Sequence, residues 1–574
     1  MFPPSLILII GGLLLPLIKP SYRPHAIILL PLLTLGYIWN LPATSMSIEF
    51  LDFLLWPMAL HDYTLIFATV FALAAFAGGL FALNNKNITE IAAGYVYAGS
   101  AIGATFAGDY ITLFIYWEVM AIGSTIVVLC GGTAAARKAA IRYAYMHFLG
   151  GVILLAGITA YIVANKEIAI TAINFNYEIF FNEATVTLSD YAALLILIGV
   201  LINAAAPPFS AWLADAYPES SPSGAVFLSA FTTKTAVFVL LTIFSGSKIL
   251  IPIGLFMIFY GIIYAMLENN IRRILSYSIV NQVGFMVVGV GIGTELAEFG
   301  VATHAFCHII YKALLLMSAG AVIYQTGKHK CSEVGGLYRT MRITTICGII
   351  GALAISAFPF TSGFVSKSMV TSASAYEGLA FVWFMLAAAS AGVFLHAGIK
   401  FPWFVFFQKD SGLRPKDPPR NMNYAMIFLA AMCILPGIFP DFLYKLLPSE
   451  VEYEPYTAAH LVSQFQLLLF AGLVFFLFVQ FTNVLKRTET ISLDMDWFYR
   501  VFLKNLLLIC ESAIATLGKL FVKNFTCFYN ISLKKIYKLH GPGSILARSW
   551  PISNTVLYAT ILLGMFLMVY FISN

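Results

Sequence analysis

Apolar runs close to 20 residues long recur along almost the whole chain, and this decides what it can fold into. A run of that length crosses a bilayer as a helix, because hydrocarbon offers backbone amides no partner outside their own segment. The runs lie near 4–18, 25–41, 63–84, 91–107, 109–130, 143–164, 191–213, 223–245, 250–267, 276–293, 299–324, 343–375, 379–407, 424–446, 463–485 and 553–572. Of 574 residues, 60% are hydrophobic and 10% charged, with a mean hydropathy of +0.87, a balance that excludes the soluble globular classes. The expectation is an all-α polytopic membrane protein of about 14–16 transmembrane helices.

The loops give an independent check. With residues 19–24 on the cytoplasmic side, alternation places Lys86, Arg137, Lys138, Arg142, Arg272, Arg273, Lys328, Lys330, Arg339, Arg342, the stretch 409–420, Lys486 and Arg487 on one face. The opposite loops carry mostly acids: Glu49, Asp52, Glu178, Glu183, Glu295, Glu298 and Glu450 to Glu454. This is the positive-inside pattern, which a missed helix would scramble, and it puts the N-terminus outside the cytoplasm in a cell inner (plasma) membrane. The net charge of +6 resides in these loops and calls for no nucleic-acid partner.

Other chemistries find no support. The first apolar run has neither a basic start nor a small-residue cleavage site, so no removable signal peptide is expected. The seven cysteines stand singly, at 130, 307, 331, 347, 433, 510 and 527, which argues against disulfides, zinc or iron–sulfur clusters. Gly289, Gly291 and Gly293 fall inside a span, as helix-packing glycines rather than a nucleotide loop. No cofactor and no metal is expected.

Between the last two runs the texture changes. Residues 495–540 mix Trp497, Phe498, Phe502, Leu506 and Leu507 with Arg500, Lys504, Lys519, Lys523, Lys534, Lys535 and Lys538. This reads as a long amphipathic helix, either lying among lipid headgroups or bracing neighbouring subunits, ahead of Gly541-Pro542-Gly543 and a terminal anchor.

Function is expected where ionisable groups interrupt apolar runs, since a charge in hydrocarbon or dry protein must neutralise, pair or find water. Glu118 comes nine residues after Asp109, roughly 13 Å into the membrane at helical rise. Burial penalises its charged form and a nearby cation favours it, so it can switch protonation state as a neighbouring charge comes and goes. Lys234 is central in its run, too deep to snorkel. His304, His308 and Lys312 recur at intervals of four, on one helical stripe climbing about 6 Å per step. A proton relay, simple packing and a metal site all fit that spacing, although the metal would lack a third ligand and face the charge of Lys312. Proline breaks occur at Ala206-Pro207-Pro208-Phe209 and at Phe358-Pro359-Phe360-Thr361-Ser362-Gly363-Phe364, with Lys367 just beyond the second. Broken helices are tolerated in membranes where they line a cavity, a recurrent arrangement at ion sites.

These residues carry a family resemblance. Gly108-Asp109 through Trp117-Glu118, Pro207 to Ala216, Asn270-Ile271-Arg272-Arg273-Ile274-Leu275-Ser276-Tyr277-Ser278, Thr303-His304 to Leu314, and Thr361-Ser362-Gly363-Phe364-Val365-Ser366-Lys367 resemble the antiporter-like subunits shared by respiratory complex I and the multisubunit Mrp-type cation/proton antiporters. The likeness covers most of residues 60–410, and the tail is similar to the lateral helix and anchor of the longest complex I subunit of this type. It implies N-terminal helices over 1–90, two inverted five-helix repeats over 91–245 and 250–407, C-terminal helices over 408–487 and the tail over 488–574. It also implies two half-channels joined by a charged line: Glu118 tuning the first lysine, Lys234 as central relay, His304, His308 and Lys312 connecting, and Lys367 at the exit. Lys400 joins this set because it follows Lys234 by 166 residues, close to the 164 between Asn203 and Lys367.

One departure stands out. The family usually carries a lysine just ahead of the first break, and this chain has Asn203, while Ser210 stands where relatives often carry histidine or glutamine. An amide cannot take up and release a proton. Either Glu118 pairs with another cation, Lys234 being the candidate, or the first half-channel is altered. The resemblance therefore implies a proton-translocating subunit of a sodium/proton antiporter, a complex I membrane-arm subunit, or a non-conducting scaffold. In each case the partners are other membrane subunits, protons and lipid, with sodium added in the antiporter, and no catalytic chemistry falls to this chain.

Overall fold

The computed structural model describes residues 2–42, 44–181, 186–481, 494–544 and 546–573, so Glu183, Lys486 and Arg487 lie outside the described residues. Two short helices, α1 (Ser5–Leu14) and α2 (Arg23–Trp39), come first, then a hairpin of β1 (Met46–Phe50) and β2 (Phe53–Met58). The hairpin was not expected, because its apolar stretch is too short and too irregular to give a clear period. Its pairing explains it. Trp56 N–H donates to Asp109 Oδ2 (2.6 Å), Gly108 N–H donates to Trp56 O (2.9 Å) and Ala59 N–H donates to Phe106 O (2.7 Å).

That stitching fixes the turn between α4 and α5 in the run α3 (Thr64–Ala82), α4 (Ile88–Phe106), α5 (Tyr110–Leu129) and α6 (Ala134–Asn165). Asp109 caps α5, accepting from Thr112 N–H at 2.7 Å. The fourth helix of this run begins well before the expected residue 143, so Arg137, Lys138 and Arg142 sit in its opening turns rather than in a loop.

Both proline breaks occur. The first separates α7 (Leu188–Asn203) from α8 (Ala211–Glu219), which leads to α9 (Pro222–Ala230) and α10 (Thr232–Ile243). The expected run 223–245 is thus interrupted at Phe231, just ahead of Lys234. Next come α11 (Leu250–Leu267), α12 (Ile271–Ile292) and α13 (Glu295–Thr326); the second break then divides α14 (Arg342–Ile355) from α15 (Ser362–Tyr376). In each break an alanine two residues past the last helical one, Ala205 or Ala357, has positive φ (61° and 54°). Measured from the breaks, Asn203 precedes its proline and Lys367 follows its own, so the two do not occupy equivalent places despite their spacing in sequence.

After α16 (Ala380–Val393) the chain passes into π-helical turns at Phe394–Lys400 and Trp403–Phe407, followed by α17 (Arg420–Ile438), α18 (Asp441–Tyr444) and α19 (Ala458–Phe481). Among the described residues, 12 helical segments are long and apolar enough to cross a membrane, and three shorter apolar ones accompany them. The chain is a multi-pass membrane protein. The apolar stretches of two spans, Ile271–Ile292 and Glu295–Thr326, are buried throughout among the others.

Their burial depends on close backbone approach. A Cβ on Gly261 would stand 2.6 Å from Tyr277 O, and one on Gly291 2.8 Å from Ile251 N, so these glycines let helices touch. Gly293 acts differently: with φ of +69° it ends α12 in the left-handed region.

The first 495 residues form one unit and residues 496–574 a second. Within the second, a π-helical turn (Phe498–Phe502) leads into α20 (Leu503–His540), and α21 (Ile552–Ser573) is the terminal apolar helix. Phe521, Phe525 and Tyr529 stack successively along α20 at 6.3 and 6.5 Å, marking its apolar stripe.

Candidate functional site: a buried line of lysines and histidines

The buried helix α13 supplies three of the expected residues from one stripe. His304, His308 and Lys312 are each 0–1% exposed. The His304 and His308 rings lie 6.3 Å apart, His304 Nδ1 is 3.4 Å from Ser366 Oγ on α15, and Lys312 Nζ donates to Leu275 O of α12 at 3.3 Å. Neither nitrogen of His308 has a hydrogen-bond partner among the described residues, nor does Nε2 of His304.

Two lysines flank this stripe. Lys234, one turn past the interruption at Phe231, donates to Ser229 O (2.7 Å), a carbonyl freed by the break, and to Thr233 Oγ1 (3.0 Å). It lies within electrostatic reach of His304, His308 and Lys312. On the other side Lys367 Nζ is buried without a hydrogen-bond partner and sits 4.3 Å from the centroid of the Phe285 ring. It also lines a cavity of about 480 Å³ together with Ser368, Thr371, Ser390, His460 and Gln464. The fold therefore brings Lys234, His308, His304, Lys312 and Lys367 together from α10, α13 and α15.

An unpartnered buried polar group costs roughly 1–3 kcal/mol. Several occur in sequence here, and bridging water is the ordinary way such groups are satisfied.

Lys400 is differently held. Its ammonium donates to Ala265 O (2.9 Å), Met266 O (2.5 Å) and Glu268 O (2.7 Å), the carbonyls ending α11. All three protons are engaged, as expected of a cation closing a helix C-terminus. Between it and the line lies His396, buried on the π-helical turn, within electrostatic reach of Lys312, Lys367 and Lys400. His396 was not among the expected residues, although it too is an ionisable group inside an apolar run.

Glu118 stands apart. It is half-buried on α5, a Cβ on Gly151 of α6 would overlap its Oε1, and none of the ion pairs among the described residues includes it. Of the two alternatives for Glu118, a pair with Lys234 is not among the ion pairs of the described residues; that lysine donates to Ser229 and Thr233. Asn203, fully buried, instead accepts a hydrogen bond at 2.8 Å from His147 Nδ1 of α6. Ser210 is buried at the start of α8.

One basic residue of the loops is structural as well as topological. Arg272, 3% exposed at the start of α12, donates to Ser220 O (2.7 Å), Ser221 O (3.3 Å) and Pro218 O, holding the chain between α8 and α9.

Residues 107–395 match the family described as NADH:quinone oxidoreductase/Mrp antiporter, transmembrane. The chain is 30% identical over 275 residues to a Na⁺/H⁺ antiporter subunit of Alkalihalophilus pseudofirmus, covering 46% of this chain and 55% of that one. It is 27% identical over 351 residues to NADH-ubiquinone oxidoreductase chain 5 of Cryptococcus neoformans, covering 58% and 52%. The matched stretch thus spans about half the length of these curated relatives. Its fold is similar to a chain of the Mrp complex from Dietzia (TM-score 0.67, 19% identity, 78% of this chain and 96% of that one). It is similar also to a chain of respiratory complex I from Thermus thermophilus (TM-score 0.66, 17% identity, 78% and 100%).

Proposed function

Because the chain belongs to the NADH:quinone oxidoreductase/Mrp antiporter transmembrane family, we propose that it is the proton-translocating subunit of a multisubunit Na⁺/H⁺ antiporter. The observation that carries this reading is the line from Lys234 and Lys312 through His308 and His304 to Lys367, buried yet rich in unpartnered nitrogens. Like charges repel strongly in a poorly solvated interior, so a proton arriving at Lys234 drives one held on Lys312 or the histidines towards Lys367. From Lys367 the proton passes into the cavity that this lysine lines with Ser368, Thr371 and His460. Lys400, with its protons committed to the end of α11, fixes that side of the line as a standing charge. Glu118 serves the entry side, and the two broken helices belong to two inverted five-helix repeats over 91–245 and 250–407, α4 to α10 and α11 to α16.

The basic loops favour a cytoplasmic face at residues 19–24 and an external N-terminus in the plasma membrane. Partners are the other membrane subunits of such an assembly, as the names of the relatives suggest. A second reading, membership of a complex I membrane arm, is favoured by the 38-residue amphipathic α20 and the terminal α21. Reconstituting the assembled complex in vesicles distinguishes them. Sodium-dependent dissipation of an imposed pH gradient supports the antiporter; acidification that requires quinone reduction supports the complex I arm; neither flux leaves a scaffold.

A further inference from the structure

The geometry points to His147 as the proton-carrying residue of the first half-channel, in the role that Asn203 cannot fill. This deepens the proposed function and rests on it. The His147 ring is 1% exposed, thirteen residues into the 32-residue α6. Nδ1 stands 2.8 Å from Asn203 Oδ1, and in the tautomer that donates there Nε2 is a buried proton acceptor without a partner among the described residues. The amide of Asn203 thus positions an imidazole at the first break.

The groups around His147 form a path. On α6, Gly151 lies one turn further along the same stripe, and Glu118 of α5 occupies the space its absent side chain leaves. One helical turn is about 5.4 Å, so the Glu118 carboxyl and the imidazole stand against neighbouring turns of α6, and water completes the step between them. On the other side the His147 ring packs 4.0 Å from Tyr143 and 4.5 Å from Trp212 of α8. Tyr143 Oη is 3.5 Å from Thr232 Oγ1, which is 2.6 Å from Tyr97 Oη, and Thr233 Oγ1 accepts from Lys234 Nζ. A proton leaves the Glu118 carboxyl, makes His147 an imidazolium through Nε2, and departs through these hydroxyls and water to Lys234 once that amine has lost its own proton down the line; the imidazole is thereby restored, and the Glu118 carboxylate takes its next proton from the entry side.

The test uses the assembled complex in proteoliposomes, with complex yield measured for each variant. His147→Gln keeps a hydrogen-bonding side chain but carries no proton, and lowers transport about a hundredfold. His147→Lys, and Asn203→Lys combined with His147→Gln, restore transport to within a few-fold of the parent with a displaced pH profile. Equal loss in His147→Gln and both lysine-bearing variants, or parental transport and pH profile in His147→Gln, overturns the inference. Lys234→Ala in the same preparation separates the two levels: its inactivity beside an active His147→Gln removes only the role of His147, whereas its full activity removes the proposed function.

Discussion

Lys367 Nζ rests 4.3 Å from the centroid of the Phe285 ring, reaching across from α15 to α12, with no hydrogen-bond partner among the described residues. The aromatic face is then the main protein group that stabilises the ammonium at the far end of the line. Such contacts are worth about 1–2 kcal/mol when desolvated, about five- to thirtyfold in a population. Phe285→Leu is expected to slow vesicle transport by that factor and Phe285→Tyr to leave it nearly unchanged. Equal rates in all three proteins would remove the ring from the mechanism.

Gly151→Ala tests the seat of Glu118 without altering any charge. The new methyl overlaps Glu118 Oε1, the end of a flexible side chain that can turn away, so the helix is expected to fold and the carboxyl to be displaced. Transport should fall towards that of Glu118→Gln while complex yield stays at the parental level.

Lys400 and the transport line should separate experimentally. Lys400→Met leaves the carbonyls of Ala265, Met266 and Glu268 at the end of α11 without their donor. Losing hydrogen bonds from a charged group costs roughly 1.5–3 kcal/mol each. The expected result is a lower melting temperature and a lower yield of complex. A variant that assembles fully and melts as the parent does, yet fails to transport, would return Lys400 to the relay.

Arg272→Met is expected to be the more damaging change of the two basic sites. The guanidinium is buried and serves three carbonyls between α8 and α9, the connection that sets where Lys234 stands. Limited proteolysis at residues 218–222 should accelerate in the variant; unchanged cleavage would mean the connection holds itself.

Much of this was legible in the residues. Apolar length gave the helices, prolines gave the two breaks, and charges within apolar runs pointed to Lys234, His304, His308, Lys312 and Lys367, which the fold buries. What stayed hidden depends on partners distant in the chain. The interruption at Phe231 involves no proline or glycine, and nothing local announces it. The β1–β2 hairpin is held by Asp109 and Phe106, far along the sequence. His147 was hidden because the apolar run around it opens at residue 143, which puts it near the interface. The helix in fact starts at Ala134 and carries it deep into the protein. Lys400 was singled out by the spacing of a repeat, while the carbonyls its ammonium meets at the end of α11 lie far back in the chain and out of reach of local reading.

Passage of protons by way of Lys234 is tested most directly by measuring pH-gradient dissipation, with and without sodium, in proteoliposomes holding equal amounts of the parental or Lys234→Ala complex. The predicted result is a loss of about a hundredfold, the scale of removing one proton-transfer group, with assembly intact. Parental rates in Lys234→Ala would contradict it.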